Sequence, residues 1–109
     1  MQIVDENNFE SEVINQKGLV VVDFNADWCG PCQMLKPVLE QLANEEKAVK
    51  FVSVNVDQNQ SLAREYGVMS IPCVVLLRDG QELTRNVGFA PKSVLQDLLK
   101  GKQAWPMTW

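Results

Sequence analysis

The stretch LVVVDFNADWCGPCQMLKPVLEQL, residues 19–42, decides how this chain reads. Residues 19–26 are apolar and largely β-branched with no alternation, the pattern of a central strand covered on both faces. Cys29 and Cys32 follow directly, separated by Gly30 and Pro31. Then Met34, Leu35, Val38, Leu39 and Leu42 recur at helical spacing, which predicts a helix from Pro31 to Glu46. Pro31 suits its first turn, where a missing N–H leaves nothing unpaired. Pro37 falls inside the helix and is expected to kink it. A strand, a Cys-x-x-Cys and a helix in that order place two thiols where open α/β sheets put their ligand sites.

The flanking sequence extends the same pattern. QIV at the start reads as a short strand. NNFESEVINQ reads as a helix capped by Asn7, with Glu10 at the capping-box position, Phe9 and Val13 on one face, and Lys17-Gly18 as its end. VKFVSVNV (49–56) alternates as a strand. NQSLAREYG fits a short helix with Leu62, Ala63 and Tyr66 on one face and Gly67 as its stop. CVVLLR (73–78), the Asp79-Gly80 turn and QELTRNVG (81–88) form a hairpin. APKSVLQDLLKG closes as a helix with Pro91 early and Gly101 at its end. Strands joined through helices are expected to be parallel and the hairpin antiparallel. The fold class is therefore α/β: a single mixed sheet, three parallel strands plus an antiparallel hairpin strand, with helices on both faces.

Totals narrow the function classes. The 109 residues make one domain, 1–109, long enough to bury a core without staples. A formal charge of −4 argues against non-specific nucleic-acid binding, which needs a basic footprint. No run approaches the length of a membrane span. MQIVDENNF has no basic start and no apolar core, so no signal peptide is expected and the expected compartment is the cytoplasm. Histidine is absent, which removes the commonest metal ligand and the commonest general base.

The Cys pair has three readings. A structural bridge would close a very small loop and remove little unfolded-state entropy. A metal site needs about four ligands, and Cys29 and Cys32 supply two; Cys73 adds a third only if the fold brings it close. The redox reading fits the position best. Cys29 falls at a helix N-terminus, where unpaired N–H groups and the helix dipole stabilise a thiolate. Cys32 lies one turn on and can resolve the mixed disulfide that Cys29 forms. Asp23 interrupts an otherwise apolar run. Burial would raise its pKa and make it a candidate proton acceptor for Cys32, whereas a strand-edge aspartate would simply reach water.

With WCGPC in place, and with VDF before it, Pro37 after it, NVDQN, YGV, Ile71-Pro72 and VGF further on, residues 3–101 resemble the thioredoxin family. The resemblance implies the thioredoxin fold and dithiol–disulfide exchange that reduces protein disulfides. Cys29 would attack, Cys32 would resolve, and Asp23 would assist Cys32. Trp28 would pack beside the site, with Gly30 and Pro31 keeping its turn tight. Pro72 would be a cis-proline facing the cysteines, Ile71 would offer its backbone to an extended substrate, and Gly88 would leave room for it. The redox-active disulfide Cys29–Cys32 would be the only redox group, with no bound cofactor and no metal. Thioredoxin reductase and disulfide-containing client proteins would be the partners, with no nucleic acid and no membrane, and the protein would be a monomer.

Three positions depart from the family pattern. Asn25 stands where an aromatic residue is frequent. Ser53 stands where bacterial members often carry a lysine, so Asp23 is expected to titrate high, with no cation to offset its burial. Cys73 follows Pro72 where threonine is usual. It either fills a threonine-sized space in the core or lies near Cys29 and modulates the site. The tail KQAWPMTW, 102–109, either docks or is a loose end.

Overall fold

The computed structural model describes residues 1–103. Five strands form one sheet: β1 (Gln2–Ile3), β2 (Leu19–Asn25), β3 (Lys50–Asn55), β4 (Cys73–Arg78) and β5 (Gln81–Val87). Three α-helices accompany them: α1 (Gly30–Glu45), α2 (Gln60–Glu65) and α3 (Lys92–Gln103). The strand order is β1-β3-β2-β4-β5, which puts β2, the strand that leads into the Cys pair, at the centre.

That central place explains the composition of β2. Its even residues Val20, Val22 and Phe24 pack with Phe9, Val13, Val52, Leu62 and Val75. Its odd residues Leu19 and Val21 pack with Leu35, Leu39 and Leu42 of α1 and Leu95 and Leu99 of α3. Successive side chains of a strand point to opposite faces, so a strand covered on both must be apolar throughout. Asp23 is the exception, and its parity puts it on the α1 face.

β1, β3 and β2 run parallel, as expected. β4 does not follow the rule for strands joined through a helix: it runs antiparallel to β2, and β5 antiparallel to β4. The segment between β3 and β4, residues 56–72, holds the six-residue α2 and brings the chain back to the same end of the sheet, so β4 starts at the end where β3 stops. Cys73 pairs with Phe24 there, which brings the Ile71-Pro72 segment to the C-terminal end of β2.

Several local expectations shift. The first helical segment is a wide π-helical turn, Glu10–Ile14, and Asn7 does not cap it. Asp5 and Asn8 form the reciprocal pair instead. The Asp5 carboxylate accepts the Asn8 N–H at 3.2 Å and the Asn8 side-chain oxygen accepts the Asp5 N–H at 2.8 Å. An acid three residues before an amide makes the same box as a hydroxyl before a glutamate. α1 carries Pro37 inside it, where the sequence places it. α3 continues past Gly101 to Gln103, and the remainder of the tail, 104–109, lies outside the described residues.

The β4–β5 turn holds as expected. Asp79 has φ 51° and Gly80 φ 83°, the positive pair of a type I′ turn. A Cβ on Gly80 would lie 2.5 Å from the Ile14 carbonyl oxygen, so the position excludes a side chain on two grounds.

Candidate active site

Cys29 is the N-cap residue of α1, with extended backbone (φ −87°, ψ 110°). Its Sγ accepts the N–H of Cys32 at 3.2 Å. This is the role a serine or aspartate oxygen plays at an ordinary N-cap, now filled by sulfur. Pro31 occupies the first turn, as its fixed φ favours. Cys29 and Cys32 form a disulfide with their Cα atoms 5.2 Å apart. The pair packs on Ala26, with Val56 and Ile71 against it.

The segment before β4 closes the site from the other side. The Ile71–Pro72 peptide is cis. The Ile71 carbonyl oxygen lies 3.9 Å from Cys29 Sγ. The Pro72 carbonyl accepts the Gly88 N–H at 2.8 Å, tying this segment to the end of β5. Gly88 has φ 91°, and a Cβ there would meet nothing within 4 Å, so the space beside it is open. Trp28 is 72% exposed next to the pair. Its indole N–H donates to Asp57 at 2.8 Å, and Asp57 is itself held by its N–H donating to the Asn55 side chain. The ring is therefore anchored at one end and open on its face. Asp57 lies within NVDQN, but sequence reasoning did not connect it to Trp28, because nothing local indicates a partner 29 residues away.

Asp23 is buried, 2% exposed. Burial pushes its carboxyl up to about 6, opposed by the Asn25 amide and by the Lys36 charge. The high titration agrees with expectation, but the expected lack of a cation is corrected. Lys36 stands four residues after Cys32 on α1, a spacing that puts both on one face. Asp23, Cys32, Asn25, Ser53 and Lys36 line a cleft of about 450 Å3.

Cys73 is free and buried. It belongs to the core with Phe24 and Val75, pairing with Phe24 and sharing its side of the sheet, which is the core-filling placement. Burial pushes the Cys73 thiol up, with Arg85 opposing. Among the described residues, no three side chains of the His, Cys, Asp and Glu types gather as metal ligands.

The thioredoxin family model matches residues 1–101. The chain belongs to the thioredoxin family. It is 45% identical over 100 residues to thioredoxin of Bacillus subtilis, covering 91% of this chain and 96% of that protein. It is 44% identical over 103 residues to thioredoxin of Chlamydia muridarum, covering 94% and 99%. Thioredoxin of Porphyra purpurea is 42% identical over 97 residues, covering 88% of this chain and 91% of that protein. Members of the thioredoxin family are protein-disulfide oxidoreductases acting by dithiol–disulfide exchange. Here the exchanging pair is Cys29 and Cys32, and disulfide-bearing proteins are the substrate class. No described helix is long and apolar enough to cross a membrane.

Proposed function

We propose that this protein works as a general reductant of protein disulfides in the cytoplasm, as a monomer built on one thioredoxin-like domain, and that a thioredoxin reductase restores its dithiol. The observation that carries the proposal is the hydrogen bond from the Cys32 N–H to Cys29 Sγ at the head of a sixteen-residue helix. A donor and a helix N-terminus aimed at one sulfur favour its anionic form, which makes Cys29 the attacking thiol.

The Cys29 thiolate attacks one sulfur of the client disulfide, forming a Cys29–client disulfide and releasing the other client sulfur as thiolate. Cys32 gives its proton to the Asp23 carboxylate and attacks Cys29 Sγ. The Cys29–Cys32 disulfide forms and the second client thiolate leaves. Two electrons pass to the client, and the reductase returns them.

The neighbouring residues serve this exchange. Gly30 and Pro31 hold the two sulfurs one turn apart. The Ile71 backbone and Pro72 receive the client chain beside Cys29, with Gly88 leaving space for it and the exposed face of Trp28 forming the wall. Asp23, titrating at about 6, lies near the working pH, where a group can both take and return a proton.

Insulin-disulfide reduction driven by dithiothreitol tests the reading. Wild type turns over, Cys29→Ser is inert, and Cys32→Ser stalls as a mixed disulfide that mass spectrometry detects. Turnover retained in Cys29→Ser would sink the assignment.

A further inference from the structure

Asn25 and Ser53 are not two separate oddities of the site. The Asn25 Nδ2 lies 2.7 Å from Ser53 Oγ, 3.0 Å from the Asp23 carbonyl oxygen and 3.2 Å from Asp23 Oδ2. The carbonyl and the carboxylate oxygens accept only, so the amide must present its nitrogen to all three. Two hydrogens serve three acceptors, and the carboxylate contact is the longest. Ser53 faces Asp23 across the β2–β3 register and so holds the amide from the neighbouring strand. The other carboxylate oxygen, Asp23 Oδ1, is buried and has no hydrogen-bond partner among the described residues.

We infer that Asn25 is a positioning residue: with Ser53 behind it, its amide pins Asp23 Oδ2 and leaves Oδ1 as the single atom through which the acid exchanges its proton with Cys32. In a neutral carboxyl the C=O oxygen is the better acceptor, so an N–H held on Oδ2 favours the tautomer that carries its hydrogen on the other oxygen. That oxygen belongs to a side chain lining the same cleft as Cys32. The inference rests on the assignment of Asp23 as the proton acceptor for Cys32.

Among the described residues, this amide is the one hydrogen-bond donor to the Asp23 carboxyl. On α1 the groups bordering the cleft are Cys32, Lys36 and Glu40, and the loop before α1 adds Asp27. The Met1 amino group is paired with Glu40. From β3 comes Ser53, and from β4 the apolar Val74. Cys73, also on β4, interacts with Asp23 only through charge. Lys36 acts on the carboxyl by charge, without a hydrogen bond that would distinguish its two oxygens.

Asn25→Leu removes the donor while keeping most of the volume, and Ser53→Ala removes the support while keeping the donor. A carbon-13 titration of the Asp23 carboxyl in the oxidised protein reads the contact without relying on turnover. Asn25→Leu is expected to move the midpoint up from about 6 by about one pH unit, the size of a lost hydrogen bond to a charged group. Ser53→Ala, which leaves the amide donor in place, moves it by less. The rate at which Cys32 resolves a mixed disulfide, followed against pH in the reduced protein, shifts to higher pH in step. A midpoint that stays put or falls in Asn25→Leu overturns the inference while leaving the role of Asp23 to be judged from Asp23→Asn. A midpoint that rises without moving the rate profile overturns the positioning role together with the assignment of Asp23 beneath it.

Discussion

Asp23 makes the sharpest quantitative statement at the scale of single residues. Its carboxyl titrates at about 6 in the folded chain, against 3.8 for the free side chain. The folded state therefore holds the proton more tightly than the unfolded state. Stability is highest below the unfolded value, falls as pH rises from about 4 to about 6, and stays lower above that. The burden at neutral pH is about 3 kcal/mol, from a shift of about two units. Asp23→Asn, unable to ionise, is expected to unfold at higher urea than wild type at pH 7, by roughly that energy. The advantage disappears near pH 4, and an advantage constant with pH would point to packing as its cause. The position of this acid was legible, since a lone carboxyl in LVVVDF has few places to go except the interior. Its neighbours were not. Asn25 and Ser53 lie 28 positions apart, and only the β2–β3 register brings them to the same carboxyl.

At the scale of elements, the hairpin is where local chemistry alone suffices. Asp79-Gly80 between the apolar CVVLLR and the mostly polar QELTRNV specifies a type I′ turn, and both residues take the positive φ it demands. Asp79 then does more than turn the chain. Its carboxylate accepts the Gly18 N–H at 2.7 Å, and its own N–H donates to the Gly18 carbonyl at 3.1 Å, tying the hairpin to the start of β2. Gly80→Ala is expected to cost about 2 kcal/mol or more in urea unfolding. The left-handed backbone alone costs roughly 1–2 kcal/mol, and the new Cβ meets the Ile14 carbonyl. Helix ends were harder to read. Asn7 and Glu10 have the right residue types for a capping box, but Asp5 and Asn8 form it. Choosing between overlapping candidates depends on where β1 releases the chain, and that is set by pairing with β3.

For the whole molecule, the sheet divides the interior into two cores, and the division decides what Cys73 does. It packs with Phe24 on the face shared with Phe9 and Leu62, while α1 and α3 cover the opposite face. Cys73→Ser is therefore expected to keep insulin reduction near the wild-type rate, within about twofold, and to lose about 1–2 kcal/mol of stability from a hydroxyl placed in an apolar core. A loss of turnover comparable to Cys29→Ser would mean that the two cores are coupled through the site. The same division makes α1 a support for the chemistry: Leu35, Leu39 and Leu42 anchor the helix whose first turn carries the sulfurs. Leu39→Ala should cost about 2–5 kcal/mol, read by urea unfolding, and leave the residual folded protein active.

By itself the sequence determined the elements, the redox pair and the acid before it, because each is set by local pattern: apolar periodicity, a proline in a helix's first turn, a charge inside a hydrophobic strand. Tertiary structure alone decided three things. It set the direction of β4, because pairing with β2 and β5 is a long-range choice that the local pattern of residues 73–78 does not carry. It set the partners of Asp23, because strand register joins residues that spacing cannot. It put Cys73 in the core beside Phe24, because one strand position settles which face of the sheet a side chain occupies.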